Sequence, residues 1–266
     1  MLFRSYTKFI ADYEYIRAAE GRGSRDKSYY LALPYEDRTG NNSGQWKIRA
    51  KSFDYLIRNI LDPAGRGETV LDLGAGNCWL SFQLAQHGYR PVAVDILTNS
   101  LDGLGAAIHY GSELGFPIPR FQAELNCLPF QDEQFDAVIF NASFHYSEDY
   151  VATTREALRC VKPGGHVVIC DTPWYTREQS GQKMVAERHA YFRNRFGTAS
   201  ESVKSLEFLT DDRLHHLEAA LHIDWTVYRP WYGWRWALRP WFARLRKRRE
   251  PSQFCIYVAR KDGRQS

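Results

Sequence analysis

The sequence has little cysteine, only two methionines and no long apolar run. Its five cysteines are scattered and form no C-x-x-C pair, so the sequence predicts reduced thiols, no disulfide framework and no metal site. No stretch approaches the ~18 uninterrupted apolar residues of a membrane-spanning helix. The first residues, MLFRSYTKFIADYEY, lack the apolar core of a secretion signal. These absences predict a cytoplasmic protein.

The basic residues are concentrated toward the end of the chain. Net charge is +4 over 266 residues, yet residues 229–266 contain eleven Lys or Arg against two acidic residues. The rest of the chain is slightly acidic. The positive charge is therefore a local patch rather than a global property. A chain of this length suits one large domain with appendages.

A strand-turn-helix pattern, VLDLGAGNCWLS, occupies Val70–Ser81. The small residues Gly74, Ala75 and Gly76 let the backbone approach a ligand closely, and the free N–H groups of the following helix face it. Asp95 ends the next apolar run, at the offset from this turn where an acidic residue holds ribose hydroxyls. The pattern predicts a bound nucleoside cofactor.

The residues of this turn favour one class of nucleoside cofactor. A dinucleotide loop has a third glycine where Trp79 stands, and Asp72 would repel a pyrophosphate, so a nicotinamide cofactor is disfavoured. A carboxylate there suits a cofactor with a cationic amine. The spacing Asp72, Gly74, Gly76, with the small Cys78 following, resembles the first motif of class I S-adenosylmethionine-dependent methyltransferases.

Three later stretches resemble the same family. They are AELNCLPF at 123–130, FDAVIFNASFHY at 135–146 and LRCVKPGG at 158–165. With the first motif, they extend the resemblance over residues 45–171. It is closest to the small-molecule branch that includes methyltransferases of quinone biosynthesis.

Apolar runs alternate with helical patterns from Thr69 onward, which is typical of a parallel sheet covered on both faces. The resemblance implies an α/β fold with a Rossmann-like seven-stranded, mostly parallel sheet and an antiparallel last strand. A single helix is predicted over 99–114. The predicted strands lie near 70–73, 91–95, 118–123, 135–140, 165–170, 222–228 and 253–260.

The chain divides by pattern into an arm and a domain. Residues 1–44 are polar and turn-rich, and predict an N-terminal lid or arm. Residues 45–266 predict the methyltransferase domain. The segments 174–209 and 229–250 leave the sheet edge where the ligand would bind, so they are interpreted as substrate-cap insertions.

The resemblance implies S-adenosyl-L-methionine as the cofactor and assigns residues to its parts. Asp72 lies near the amine, Asp95 takes the ribose hydroxyls and Ile96 packs on the adenine. The other implied cofactor-binding residues are Gly74, Ala75, Gly76, Glu124, Leu125 and Asn141.

Two further side chains have open interpretations. His145 falls in the loop that faces the cofactor and is the candidate general base; the alternative is a structural histidine bonded to a backbone carbonyl. Arg49 is interpreted as a solvated arginine, with contact to the cofactor's carboxylate as the alternative.

The segment 229–250 has four tryptophans, Trp231, Trp234, Trp236 and Trp241, among many arginines. Three interpretations stay open. The segment could contact a membrane surface peripherally, at the inner membrane face. It could bind nucleic acid, which the absence of a recognisable RNA-binding module disfavours. It could also simply cap the sheet with its basic end in solvent.

The predicted function is S-adenosylmethionine-dependent methyl transfer to a small or lipid-like acceptor. One alternative is a non-catalytic S-adenosylmethionine-binding regulatory protein, and another is an RNA methyltransferase. These motifs carry no information on the acceptor, which depends on residues 1–44 and 174–250.

Overall fold

The computed structural model describes residues 6–62, 65–199 and 201–263. Parts of the predicted arm (1–5) and of the predicted domain (63–64, 200 and 264–266) lie outside the described residues. No described helix is long and apolar enough to cross a membrane.

The described residues form a seven-stranded sheet with the order β3-β2-β1-β4-β5-β7-β6. Strands β1 to β5 are parallel, and β7 is antiparallel to both β5 and β6. The predicted fold class is confirmed. The strands are β1 Thr69–Leu73, β2 Arg90–Asp95, β3 Arg120–Gln122, β4 Phe135–Asn141, β5 Val161–Cys170, β6 Trp225–Tyr228 and β7 Ile256–Arg260.

Helices cover both faces of this sheet and also precede it. The α-helices are α1 Thr7–Ala19, α2 Lys27–Ala32, α3 Ser43–Leu56, α4 Trp79–Gln86, α5 Gly111–Leu114, α6 Tyr150–Cys160, α7 Glu178–Phe196, α8 Asp211–Leu221, α9 Trp234–Ala237 and α10 Arg239–Leu245. A π-helical turn, Ile57–Leu61, continues α3.

The two faces of the sheet carry separate apolar clusters. Val70 packs in the cluster that contains residues of α2, α3 and α4, whereas Leu71 and Leu73 pack in the cluster that contains residues of α6 and α8. Successive strand residues point to opposite faces, so a strand covered on both sides has a continuous apolar run. By the same alternation Asp72 belongs to the α4 side of the sheet.

The predicted helix over 99–114 is wrong. The side-chain Oδ1 of Asn99 accepts the N–H groups of Leu101 and Asp102, as at a helix N-cap, but no helix of the predicted length follows. The chain then packs on itself, because a Cβ on Gly103 would lie 2.7 Å from the carbonyl oxygen of Leu97. Only a short 3₁₀ segment, Leu104–His109, and α5 follow.

Removing the side chain of Leu71 tests the central position of β1. Leu71 is fully buried between two neighbouring strands, so Leu71→Ala should lower the free energy of unfolding by about 2–5 kcal/mol. Val227→Ala, on the exposed edge strand β6, should cost less than about 1 kcal/mol. Urea unfolding measures both; equal losses would contradict the assignment of β1 to the centre of the core.

Candidate active site

A cavity of about 690 Å³ lies where the parallel strands end. Its wall includes the loops after β1, β2, β4 and β5, side chains of α1, α3 and α7, and part of the segment 229–250. All ten residues that the sequence places at the site line this one cavity. They are Asp72, Gly74, Ala75, Gly76, Asp95, Ile96, Glu124, Leu125, Asn141 and His145.

The turn after β1 is fixed by its neighbours on both sides. The N–H groups of Gly74 and Ala75 donate to the carbonyl oxygen of Val94 on β2. On the β4 side, Ser143 Oγ donates to the carbonyl oxygen of Leu73 at 2.5 Å. A Cβ on Gly74 would lie 2.3 Å from Cβ of Ser143, and its φ is +72°. Glycine is therefore required here by packing between two loops as well as by its backbone angle.

Cys78 and Trp79 explain how the turn enters α4 without a third glycine. Cys78 adopts the left-handed conformation, with φ 62°, at the N-cap of α4. Trp79 then points into the core, where its ring meets those of Trp46 and Phe53 edge-on at 5.7 and 6.0 Å. The indole thus occupies the space between α4 and α3, and it does not block the turn.

Two buried carboxyl groups lie below the turn. Asp95 accepts the N–H groups of Gly76 and Leu97, each at 2.8 Å, and Asp72 accepts the hydroxyl of Ser81 at 2.8 Å. Burial raises the pKa of Asp72 to about 7, although the hydrogen bond from Ser81 opposes it. Burial likewise raises the pKa of Asp95 to about 6, against the two backbone hydrogen bonds. A cationic or hydrogen-bond-donating ligand would stabilise the ionised form of both carboxyl groups.

Several buried polar atoms in the cavity wall have no hydrogen-bond partner among the described residues. They are Oε1 of Glu124, Oδ1 of Asn141, Nδ1 of His145 and Oδ2 of Asp171. Buried polar atoms are normally paired, and an exception indicates a missing ligand or water. The residues that carry these atoms lie at or just after the ends of β3, β4 and β5.

His145 is buried, with 9% of its surface exposed. Burial, and then the positive charges of Arg188, Arg49 and Arg17, lower its pKa to about 3. The imidazole is neutral at physiological pH, and its unpaired Nδ1 leaves one ring nitrogen available to a ligand. Nδ1 makes no hydrogen bond to a backbone carbonyl of the described residues.

Arginines of the cavity wall were not among the predicted site residues. Arg17 donates to Asp102 at 2.5 Å, and Arg188 pairs with Glu207. Their partners are distant in sequence, so no local pattern indicates them.

Arg49 is half-buried and lines the cavity. Its guanidinium stacks over the ring of Trp46 at 4.7 Å, and no hydrogen bond or ion pair engages it among the described residues. Burial lowers its pKa to about 10, so it stays charged at neutral pH. The signal in the sequence is the spacing of Trp46 and Arg49, which puts both on one face of α3.

Asp171, at the end of β5, is held by a short relay. Ser52 donates to Oδ1 of Asp171 at 2.5 Å, and the hydroxyls of Ser52 and Tyr232 lie 2.9 Å apart. Oδ2 is buried and has no hydrogen-bond partner among the described residues. The residue adopts φ 51°, which is uncommon for a non-glycine residue and is found often at functional sites.

The pH dependence of stability tests the buried state of Asp72. In the folded protein this carboxyl keeps its proton up to about pH 7, whereas its ordinary pKa is 3.8. The folded state thus loses stability through this group as pH rises from about 4 to about 7. Asp72→Asn has no carboxyl that causes this loss. In urea unfolding, the free energy of unfolding of the variant should therefore rise relative to that of the unmodified protein between about pH 5 and pH 7.5.

Asp136→Asn is the matched control for this measurement. Hydrogen bonds from Lys162 and Thr69 outweigh burial and hold the pKa of Asp136 below its ordinary value. The contribution of Asp136 to stability is therefore fully present above about pH 4. The difference in free energy of unfolding between Asp136→Asn and the unmodified protein should not change from about pH 5 to pH 7.5. If this difference changed with pH to the same extent for both variants, the raised pKa of the buried Asp72 carboxyl would be contradicted.

Comparison with known proteins agrees with the fold and the motifs. Residues 71–169 match the model of a family described as a methyltransferase domain. A demethylmenaquinone methyltransferase of a Mycobacterium species is 34% identical over 107 residues, which are 40% of this chain and 43% of the relative. The corresponding protein of Mycolicibacterium paratuberculosis is also 34% identical over 107 residues. The chain thus matches less than half the length of these curated relatives.

Solved structures share the fold over more of the chain. The YcgJ protein of Bacillus subtilis superposes with a TM-score of 0.57 at 15% identity, covering 80% of this chain and 99% of that one. A SAM-dependent methyltransferase of Thermotoga maritima has a TM-score of 0.51 at 14% identity, covering 98% and 100%. Residues 71–169 thus resemble a methyltransferase domain, and the chain shares the fold of these solved structures.

Proposed function

We propose that this protein transfers a methyl group from S-adenosylmethionine to a small, lipid-like acceptor. The observation that carries the proposal is a single cavity with two differently built halves. One half lies against the ends of β1, β2 and β3, and the other lies against the ends of β4 and β5. A protein that only binds the cofactor has no use for the second half with its unpaired polar atoms, so this cavity favours the enzyme over the regulatory alternative.

The first half fits the nucleoside part of the cofactor. A carboxylate has about four acceptor positions, and Asp95 uses two of them for backbone N–H groups, which leaves capacity for the ribose hydroxyls. Ile96 and Leu125 provide apolar walls for the adenine. The unpaired Oε1 of Glu124 is an acceptor for the adenine amino group.

The amino-acid part of the cofactor requires one anionic and one cationic partner. Asp72, with a pKa near neutrality, becomes fully ionised beside a cationic amine because an opposite charge lowers the pKa of a carboxyl. The backbone carbonyl of Asn141 is a second acceptor for that amine. Arg49 is a charged donor in the wall without an ionic partner among the described residues, and we assign it to the carboxylate.

When bound, the cofactor supplies a methyl group that is already activated, so the chain mainly has to place the acceptor and receive its proton. We assign these tasks to His145 and Asp171, which line the cavity and each have a buried polar atom without a hydrogen-bond partner among the described residues. The neutral imidazole of His145 accepts a hydrogen bond or a proton from the acceptor. The relay through Ser52 and Tyr232 orients Asp171.

Aromatic side chains around the second half suit an apolar, flat acceptor. They come from the N-terminal helix, α7 and the segment after β6, which supports a lid function for residues 1–44 and a cap function for 174–209 and 229–250. They are Phe9, Tyr13, Phe192, Trp236 and Phe254. The relatives named as demethylmenaquinone methyltransferases support the same acceptor class. Such an acceptor resides in a membrane, so the proposal places the protein in the cytoplasm in peripheral contact with a membrane.

The assignment of Arg49 is tested by calorimetry with two ligands. Arg49→Met should weaken binding of S-adenosylhomocysteine about 10- to 100-fold, because a charged hydrogen bond contributes about 1.5–3 kcal/mol. Binding of 5′-methylthioadenosine, which lacks the amino-acid carboxylate, should be unchanged. Lys47→Met, an exposed change on the same helix, is the control and should affect neither ligand. Equal losses for both ligands would refute the assignment.

Methyl transfer is tested with radiolabelled S-adenosylmethionine and demethylmenaquinone as the first acceptor, followed by a total lipid extract. Label should enter the organic phase. His145→Gln should lower kcat by about 100-fold or more if the imidazole takes part in proton transfer, with the affinity for S-adenosylhomocysteine unchanged. Unchanged kcat in this variant would remove His145 from the reaction, and label found only in water-soluble products would exclude a lipid-like acceptor.

A further inference from the structure

An apolar stripe runs along the outer face of α9 and α10. From Trp234 to Leu245 its members recur three or four residues apart, through Leu238 between the two helices, so they lie on one side of a nearly continuous helix. Trp231 precedes α9, and its ring meets that of Trp234 edge-on at 5.0 Å. All are exposed, Trp234 by 75% and Leu245 by 63%. The stripe consists of Trp231, Trp234, Leu238, Trp241 and Leu245, and Phe242 flanks it.

The opposite side of the same helices is anchored to the domain. Tyr232 is buried, and Lys51 Nζ donates to its carbonyl oxygen at 2.9 Å. Trp236 stacks on Phe254 at 5.5 Å, and the guanidinium of Arg239 lies over the indole of Trp236. The stripe is therefore held outward by packing on its other side, and no described residue covers it.

Positive charge surrounds the stripe. The segment 229–250 has eight Lys or Arg against one acidic residue. Arg249 is paired with Glu187 at 2.7 Å, but most of the others are exposed and make no ion pair with a described residue. These exposed cations are Arg229, Arg235, Arg244, Arg246, Lys247 and Arg248.

We infer that the stripe is a docking surface for an anionic phospholipid bilayer. Tryptophans with an apolar body and a polar N–H sit well at the boundary between head groups and acyl chains, and arginines beside them pair with lipid phosphates. A second copy of this chain fits less well, because a twofold contact would bring the same cations of both copies together. The inference rests on the proposed function in one respect only, which is that a lipid-like acceptor gives the protein a reason to reach a bilayer.

Docking through the stripe places the cavity close to the bilayer. Trp236 and Arg239, on the anchored side of α9 and α10, line the cavity directly. The stripe and the cavity wall are thus two sides of one short helical segment. When the stripe meets the bilayer, an acceptor dissolved in the lipid reaches the second half of the cavity by a short path past this segment.

The experiment is co-sedimentation of the full chain with vesicles of phosphatidylcholine, with and without phosphatidylglycerol. Binding should require phosphatidylglycerol and weaken with salt. The variant Trp234→Ser/Trp241→Ser should bind at least about tenfold more weakly. Ile108→Ser/Phe116→Ser removes two exposed apolar side chains near the opposite edge of the sheet and should bind normally.

A second variant separates charge from apolar insertion. Arg244→Gln/Arg246→Gln/Lys247→Gln/Arg248→Gln keeps the stripe and should lose about tenfold or more in affinity for the phosphatidylglycerol vesicles. All variants change exposed residues, and unchanged binding of S-adenosylhomocysteine by calorimetry shows that each is folded.

The outcomes distinguish docking from the proposed function. Absence of vesicle binding at low salt would overturn the docking surface, even if methyl transfer is found. Vesicle binding by a protein that does not bind S-adenosylhomocysteine would uphold docking and reject the proposed function. Sedimentation equilibrium that shows a dimer, converted to monomer by Trp234→Ser/Trp241→Ser, would assign the stripe to self-association and overturn the inference.

Discussion

The turn after β1 is the point on which the site depends. Backbone hydrogen bonds to Val94 hold it to β2, and the Ser143 hydroxyl holds it to the loop after β4. This arrangement requires that β1 lie between β2 and β4, which is the middle of the parallel sheet. Right-handed crossovers bring the ends of parallel strands to the same edge, so the turn and its neighbours form one cavity floor. Gly74 has no room for a side chain because this floor is closed around it.

Charge in the cavity is arranged in two regions. Asp72 and Asp95 are buried beside the turn, and burial raises the pKa of each carboxyl. Arg49 and Arg188 also line the cavity, and burial together with their charges lowers the pKa of His145. A ligand that carries both a cationic amine and a carboxylate matches these two kinds of charge. The same arginines disfavour a protonated His145, so the imidazole stays neutral and can accept a hydrogen bond.

The segment 229–250 links the surface of the protein to its site. Tyr232 contacts Ser52, which in turn donates to Asp171, while Lys51 holds the backbone of Tyr232. The segment therefore cannot move far without disturbing the end of β5. Its other side is apolar and exposed. One short stretch of chain thus provides both a cavity wall and an outer surface. Whether a residue of the two helices belongs to one or the other depends on which side of the helices it lies.

The sequence by itself determined the fold class, the approximate strand positions and ten of the residues that line the cavity, because these depend on local apolar runs and on a turn with fixed spacing. It also showed that Trp79 is incompatible with a dinucleotide loop. It did not reveal that Cys78 takes the left-handed conformation that lets Trp79 turn into the core, nor the close packing of Gly103 against Leu97 in the segment predicted as a helix. The pairs Arg17–Asp102 and Arg188–Glu207, and the outward direction of the tryptophan stripe, were decided by tertiary structure alone. Each joins or orients residues from separate elements, and only packing determines which side of an element faces the cavity, the core or the solvent.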